Sequence, residues 1–215
     1  MTKVHLKLLP VSSYVGVNRD DPIRFYTFPG LGWFYRRRVE MCLEELTGGQ
    51  HVLEIGFGSG VSFFNLHELY TEIHGLDLTT DIDRVAGFFR GKGIETSLQQ
   101  GDVRRMPYTD GFFDSVLMIS ILEHLQPEDL HQVMVEVRRV LRPGGQLVYG
   151  APVERPLMVT AFRLLATDIR GQHFSTEKDI AHQAGESFRR VRVRQLPGPL
   201  GLFGSLYEVG HFARD

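Results

Sequence analysis

The stretch His51-Val52-Leu53-Glu54-Ile55-Gly56-Phe57-Gly58-Ser59-Gly60 decides the fold of this chain. It is an apolar run with an acidic residue near its end, and it breaks into three glycines at alternate positions. A strand that ends in glycines presents bare backbone N–H groups to a ligand, and a helix that starts behind them adds the positive end of its dipole. The stretch therefore predicts a nucleotide-binding turn between a strand and a helix.

The composition is that of an ordinary globular protein. The chain has 215 residues, of which 42% are hydrophobic and 23% charged, enough to bury one sizeable core. The formal net charge of −2 gives no global electrostatic reason for nucleic acid or an anionic membrane to bind. We therefore expect no nucleic-acid partner.

Cys42 is the single cysteine, which excludes an intramolecular disulfide framework and a multi-cysteine zinc site. Its apolar neighbours predict a packed helix position, with a reactive thiol as the alternative. No stretch approaches about 18 uninterrupted apolar residues, and the first residues lack the apolar core of a signal peptide. The sequence thus predicts a cytoplasmic protein without stable membrane insertion.

Residues 1–35 are predicted to form an N-terminal arm, and residues 36–215 a single domain. The arm contains prolines and has no clear helical period, and six aromatic residues between 25 and 35 precede three arginines on a predicted helix that runs to Leu46. These aromatics either cap the core, with the arginines on a solvated helix face, or form a lid over a substrate pocket. Contact with a membrane surface is a third interpretation.

From Thr47 onward, predicted strands and helices alternate. Strands are predicted at 51–55, 72–77, 94–99, 113–119 and 145–150, and helices at about 60–70, 80–91 and 127–141, the last ended by Gly144-Gly145. Alternation at this spacing implies an α/β fold, a mostly parallel sheet with helices on both faces.

The last part of the chain departs from this alternation. Helices are predicted near 156–167 and 176–185, and strands over 188–194 and 204–212. The connection between these strands is too short for a helical crossover, which predicts an antiparallel pair. Arg190, Arg192 and Arg194 suit an exposed sheet edge where charge discourages intermolecular pairing, and an anion-binding face is the alternative.

Acidic residues follow three of the predicted strands. A dinucleotide turn holds a pyrophosphate, which Glu54 directly before the glycines would repel, so this turn suits a ligand with a positive group. Asp77 after the second strand suits both hydroxyls of an unphosphorylated ribose, and Asp102 after the third suits an adenine amino group. A turn or a helix cap explains most isolated aspartates, but the same placement after successive strands indicates one binding site.

The stretch from His51 to Tyr149 resembles a class I S-adenosylmethionine-dependent methyltransferase. The matching motifs are Val52 to Gly60, Gly75-Leu76-Asp77, Gly101-Asp102-Val103 with Met106-Pro107-Tyr108, Phe113 to Val116, Leu122 to Leu125, and Val140 to Gly145. The resemblance covers about half the chain. It implies a Rossmann-like, seven-stranded, mostly parallel sheet with a C-terminal antiparallel hairpin, and S-adenosyl-L-methionine as the cofactor.

The resemblance also assigns cofactor-binding residues. The implied set is Glu54, Gly56, Phe57, Gly58 and Gly60 in the turn, Asp77 and Leu78 at the ribose, Asp102 and Val103 at the adenine, and Ile119 and Ser120 below the methyl group. Within this set, Glu54 is expected to shape the turn and to contact the amino group, directly or through water.

His124 and His173 are the candidate catalytic bases. A sulfonium methyl is already activated, so alignment supplies much of the rate, and a base is needed only for a protonated acceptor. His124 lies just past the fourth strand, although a helix-end residue paired with backbone is the alternative interpretation. His173 precedes a helix whose capping residues, Ser175 or Thr176, are imperfectly placed, which suggests a loop over the pocket. No metal is expected, because no two histidines have ligand spacing with a carboxylate.

The apolar segment 151–171 and the arm are the remaining material that covers the active site, which favours a small or lipid-like acceptor. The sequence therefore predicts a methyltransferase that acts on a small molecule, for example a natural product. A non-catalytic protein that binds the same cofactor is the alternative, and a nicotinamide-dependent dehydrogenase is a third candidate.

Overall fold

The computed structural model describes residues 3–16, 21–153, 173–198 and 204–215. Its helices are α1 (Leu31–Leu43), α2 (Phe63–Leu69), α3 (Ile82–Arg90), α4 (Pro127–Val140) and α5 (Glu177–Ser187). Its strands are β1 (Gly49–Ile55), β2 (Tyr70–Asp77), β3 (Thr96–Gln100), β4 (Phe113–Ile119), β5 (Leu141–Pro152), β6 (Arg189–Pro197) and β7 (Ser205–Ala213). Short 3₁₀ turns lie at Val11–Ser13, Pro22–Thr27 and Leu122–His124. The helix predicted near 156–167 lies outside the described residues.

The strands form one seven-stranded sheet in the order β3-β2-β1-β4-β5-β7-β6. The first five strands in this order pair in parallel, and β7 pairs antiparallel with both β5 and β6. The predicted sheet and its antiparallel hairpin are confirmed. Strand order reverses between β1 and β4, so a crevice opens at their carboxyl ends, where doubly wound sheets bind ligands.

Helices cover both faces of the sheet. Buried side chains of α1, α2 and α3, such as Val39, Phe63 and Phe89, share one apolar cluster, and those of α4 and α5, such as Val133 and Ile180, belong to the other. Cys42 is fully buried in the first cluster, which confirms the packed position predicted for it. Burial also raises the pKa of its thiol.

Two predicted boundaries move for local reasons. Helix α4 ends at Val140, within one residue of its predicted end, but β5 begins at Leu141 and not at the predicted 145, because Leu141 is already paired with Phe113. The glycines lie within β5. At α5 the imperfect cap predicted from sequence is in fact a complete capping box, in which Thr176 and Asp179 bond each other's backbone N–H groups.

The arm is held by hydrogen bonds to two helices. The Leu6 N–H donates to Glu40 of α1 at 3.1 Å, and the Lys7 N–H donates to Asn65 of α2 at 2.9 Å. The arm therefore packs across the helices on one face of the sheet.

The three arginines of α1 are not a solvated helix face, so that expectation was wrong. Arg36 donates to the carbonyl of Tyr26, and Arg37 forms an ion pair with Glu44 at 2.7 Å. The Arg38 guanidinium lies 6.0 Å from the ring centre of Tyr26. Tyr26 is buried, as expected for a residue that caps the core. Helix α1 ends at Leu43, before the predicted Leu46.

The C-terminal hairpin places β6 at the edge of the sheet, as predicted. Its register shifts between Arg190 and Arg192, which leaves Val191 exposed. Arg194 forms ion pairs of 2.9 and 3.0 Å with Glu44 and Glu45 after α1, so it ties the edge strand to the neighbouring helix.

Candidate functional site

The glycine turn after β1 is shaped by backbone conformations that favour glycine. Gly56, Gly58 and Gly60 have φ values of 69°, 48° and 67°. A Cβ on Gly56 would lie 2.0 Å from the Ile121 side chain, and one on Gly60 would lie 2.7 Å from Phe89. A side chain at Gly56 would therefore overlap Ile121, one at Gly58 would overlap Asp21, and one at Gly60 would overlap Phe89 of α3.

Phe57 points away from the crevice. Its side chain is buried and packs against the ring of Phe63, with ring centres 5.7 Å apart. Phe57 can therefore contact a ligand only through its backbone.

Asp77 joins the ends of two strands. One carboxylate oxygen accepts from the Gly58 N–H at 3.0 Å, and the other accepts from the N–H groups of Thr79 and Thr80 at 2.9 Å each. The side chain is half-buried at the end of β2. The next residue, Leu78, is 64% exposed, an apolar surface beside the same edge. Asp77 thus holds the turn in place and presents a carboxylate at the crevice.

Asp21 of the arm also reaches the turn, which the sequence analysis missed. Its carboxylate accepts from the Ser59 N–H at 2.7 Å and from the Ile23 N–H at 2.8 Å. Burial raises its pKa, although these hydrogen bonds favour the charged form. The sequence signal was an Asp-Pro helix cap, which does not indicate contact with a loop far along the chain.

Glu54 is buried at the end of β1, with 3% exposure. Ser62 donates a hydrogen bond to its carboxyl group. Burial raises the pKa of Glu54 to about 8, and the nearby charge of Asp77 contributes to that rise. Asp77 makes this end of the sheet favourable for a cation, and a cation bound beside Glu54 would favour the loss of its proton.

Asp102 follows β3 but is already engaged. Its carboxylate accepts from the Arg104 guanidinium at 2.6 Å, and this bond lowers the pKa of Asp102. The Val103 side chain packs into the core. Asp102 is therefore placed at the predicted edge, but a ligand there would compete with Arg104.

The end of β4 carries a strained residue. Ser120 has a φ of 55°, a left-handed conformation that is uncommon for residues other than glycine. Its hydroxyl lies 2.8 Å from the Tyr207 hydroxyl and accepts from Arg38 at 3.2 Å. Ile119 precedes it at the same edge. Arg38 and Tyr207 come from α1 and β7, so sequence spacing gave no sign that they meet at this point.

His124 and His173, predicted separately, lie side by side. Their ring centres are 5.1 Å apart. Glu123, which the sequence analysis did not select, is buried between the same segments, and its ligand atom lies within 4.8 Å of those of both histidines. The Phe174 N–H donates to the Glu123 carbonyl at 2.8 Å, which holds the two segments together.

The glycine turn, Glu54 and Asp77 lie within a segment that matches a known protein family. Residues 53–149 match the family model described as a methyltransferase domain. These residues form a class I S-adenosylmethionine-dependent methyltransferase domain. The predicted family and its cofactor, S-adenosyl-L-methionine, are confirmed by this match and by the relatives below.

Known proteins similar to this methyltransferase domain agree with the match. A probable S-adenosylmethionine-dependent methyltransferase of Mycolicibacterium smegmatis is 30% identical over 133 residues, covering 59% of this chain and 49% of that protein. The N-methyltransferase NodS of Bradyrhizobium japonicum, solved with S-adenosyl-L-homocysteine, has a TM-score of 0.70 at 20% identity, covering 93% of this chain and 94% of that one.

A second solved structure also shares the fold. The geranyl diphosphate C-methyltransferase of Streptomyces coelicolor, solved with Mg²⁺, geranyl diphosphate and S-adenosyl-L-homocysteine, has a TM-score of 0.70 at 12% identity, covering 94% of this chain and 90% of that one. The chain spans about half the length of the curated relatives it matches. Among the described helices, none is both long and apolar enough to cross a membrane.

Proposed function

We propose that this protein transfers the methyl group of S-adenosyl-L-methionine to a small-molecule acceptor. The observation that carries the proposal is the Asp77 carboxylate bonded to the Gly58 N–H beside buried Glu54. This arrangement places two acidic groups and a glycine backbone at the switch point of the sheet. Such an edge suits a ligand that has both a ribose and a cationic amino acid part.

The cofactor would lie along this edge from β3 to β4. Its methionine part would contact the backbone of Gly56, Phe57 and Gly58, with its ammonium group near Glu54. Asp77 would accept from the ribose hydroxyls, with Leu78 against the adenosine. The further cofactor contacts in the proposal are Asp102 and Val103 at the adenine and Ile119 and Ser120 below the methyl group. Gly60 supports the turn through packing.

The names of similar proteins support a small molecule as the methyl acceptor. The Streptomyces coelicolor protein is named as a geranyl diphosphate C-methyltransferase, so its acceptor is a small molecule, and the Bradyrhizobium japonicum protein is named as an N-methyltransferase. His124 and His173 would act on the acceptor side, because they follow the strand whose end lies below the methyl group. An imidazole at this position would take up the acceptor's proton. Alignment of the acceptor with the methyl group would supply most of the rate.

Calorimetry and a product assay test this proposal together. Wild-type protein is expected to bind S-adenosyl-L-methionine and, with some acceptor in a panel of hydroxylated, aminated and prenylated small molecules, to release S-adenosyl-L-homocysteine. Asp77→Ala should weaken cofactor binding, whereas Asp83→Ala, an exposed aspartate on α3, should not.

Two other outcomes would each decide against the proposal. Cofactor binding without product across the whole panel would favour the non-catalytic alternative. Heat from NADH and none from S-adenosyl-L-methionine would favour a dehydrogenase. The cytoplasmic location stays a prediction.

A further inference from the structure

The acceptor side of the crevice contains three metal-ligand side chains that methyl transfer by itself does not require. Glu123, His124 and His173 each offer one ligand atom, and these atoms all lie within 4.8 Å of one another. We infer that the three residues bind one divalent transition-metal ion of the Zn²⁺ type. The ion would keep open coordination positions for an oxygen atom of the acceptor.

The donor set identifies the class of metal. Two imidazoles and one carboxylate form the ligand sets of catalytic zinc sites and of non-haem iron sites, whereas Mg²⁺ and Ca²⁺ prefer oxygen ligands. Ligands bonded to a tetrahedral zinc ion at about 2.0–2.2 Å lie about 3.4 Å apart. Ligand atoms that lie up to 4.8 Å apart would have to approach by at most about 1.4 Å to reach this spacing.

Backbone hydrogen bonds place the ligand segments beside each other without a metal. The Glu123 carbonyl accepts from the N–H groups of Phe174 and Ser175 at 2.8 and 3.3 Å. The Ser175 hydroxyl donates to the Leu125 carbonyl at 2.7 Å. The capping box at Thr176 then fixes the chain that follows. Because these bonds already hold the two segments together, bringing the ligands together costs little when an ion binds.

The ligands differ in burial in the way that an open site requires. Glu123 is buried, His173 is half-buried and His124 is exposed. A buried carboxylate and a histidine at the entrance would hold an ion with one side toward solvent. Three protein ligands leave a fourth position open, which is the pattern of catalytic zinc sites.

The site lies next to the reacting end of the proposed cofactor. Ile121, two residues before Glu123, packs against Gly56 of the glycine turn so closely that a Cβ there would overlap it. An ion held by Glu123 and His124 would therefore lie on the acceptor side of the turn. It would lower the pKa of a coordinated hydroxyl, whose proton passes to water before the oxygen attacks the methyl group.

The sequence expectation of no metal rested on spacing along the chain. His124 and His173 lie far apart in sequence, and the fold brings them together through the bonds of Phe174 and Ser175 to Glu123. Sequence spacing detects metal sites only when the ligands share a helix or a short loop. This site is built from two separate segments.

A second group of histidines provides an internal comparison. His51 and His74 lie 3.6 and 3.4 Å from the Glu72 carboxylate. His51 and Glu72 lie in the first half of β1 and β2, at the opposite end of the strands from the glycine turn. A metal at this second group would have no contact with the methyl acceptor.

Metal binding to the whole chain, freed of any polyhistidine tag and stripped with a chelator, tests the inference. Titration with Co²⁺ should give visible ligand-field absorption that saturates at one ion per chain. Zn²⁺, measured in competition with a chromophoric chelator, should displace it. His124→Ala, His173→Ala and Glu123→Gln should each weaken Zn²⁺ binding by more than the roughly 10–100-fold that outer-shell changes cost.

Two histidine variants serve as controls. His182→Ala removes an exposed histidine on α5, and His51→Ala removes the second group, so both should bind Zn²⁺ as the wild type does. Unchanged Zn²⁺ affinity in both His124→Ala and His173→Ala would overturn the inference, as would loss of binding in His51→Ala. Circular dichroism of each variant separates loss of a ligand from loss of the fold.

The role of the ion in catalysis rests on the proposed function, but the metal site does not. Calorimetry with S-adenosyl-L-methionine in the presence of chelator separates the two. Cofactor binding and turnover without any Zn²⁺ binding would overturn the metal site alone. Zn²⁺ binding without cofactor binding would overturn the proposed function and leave the metal site standing.

Discussion

The cofactor edge and the acceptor side of the crevice are built in different ways. At the cofactor edge, backbone N–H groups of the glycine motif donate to carboxylates, such as the Gly58 N–H to Asp77. On the acceptor side, Ser120 meets Arg38 and Tyr207, and His124 meets His173, from separate parts of the chain. The first region was therefore visible as a motif, and the second became visible only once the chain was folded.

The largest expected effect is at the glycine turn. Gly56→Ala would place a Cβ 2.0 Å from the Ile121 side chain, at a φ of 69°. Backbone strain of about 1–3 kcal/mol and a similar cost of overpacking should lower the free energy of unfolding and abolish cofactor binding. Urea unfolding and calorimetry measure the two effects.

The matched control for this change is Gly87→Ala in helix α3. Nothing lies within 4 Å of a Cβ at Gly87. An alanine there should stabilise the helix by about 0.5–1 kcal/mol and leave cofactor binding unchanged. If both variants behaved alike, the turn would not depend on its left-handed backbone.

A substitution on the acceptor side should lower turnover and leave cofactor affinity unchanged. His124→Gln is expected to lower turnover by roughly 10²-fold without a change in cofactor affinity, because it removes the imidazole that deals with the acceptor's proton directly or through the inferred ion. His131→Gln, an exposed histidine on α4, is the control. Steady-state kinetics with calorimetry checks both, and wild-type turnover in His124→Gln would remove this residue from the site.

Asp77 and Asp102 provide a comparison within the cofactor edge. Asp77→Ala should weaken cofactor binding by about 1–3 kcal/mol, because the ribose hydroxyls and the Gly58 N–H both lose an acceptor. Asp102→Ala should cost less than about 1 kcal/mol, since this exposed carboxylate already pairs with Arg104. Equal losses in calorimetry would contradict this ranking.

Much of the fold follows from the sequence because its signals are local. Alternating strands and helices, and the short connection before β7, determine a mostly parallel sheet with an antiparallel hairpin. The end of α4 was predicted to within one residue, but the start of β5 was placed too late, at 145, because Pro143 and the glycine pair read as a break. In the fold, pairing of Leu141 with Phe113 ends the helix first.

The parts of the site that the sequence did not predict depend on contacts between distant residues. Asp21 reads as the cap of a 3₁₀ turn, yet its second oxygen accepts from Ser59. Glu123 reads as one acidic residue after a strand, and its pairing with His173 depends on a segment much further along the chain. Single-sequence patterns carry no information on such pairings.

A pH-dependent effect is expected from the proton on Glu54. Its pKa is raised to about 8 in the folded chain from an ordinary value of 4.5, chiefly by burial. Between these values the native state keeps a proton that the unfolded state has released. Stability should therefore fall as pH rises, by about 1 kcal/mol for each pH unit between roughly pH 5.5 and 7.5.

Glu54→Gln isolates this contribution from that of the other titrating groups. The amide is neutral at every pH and keeps an oxygen to accept from Ser62. Near pH 5 the two proteins should unfold at similar urea concentrations, and by pH 8 the variant should be the more stable one. Parallel stability curves across this range would mean that Glu54 is ionised in the folded protein. The cofactor edge would then keep a buried negative charge before any cationic ligand binds.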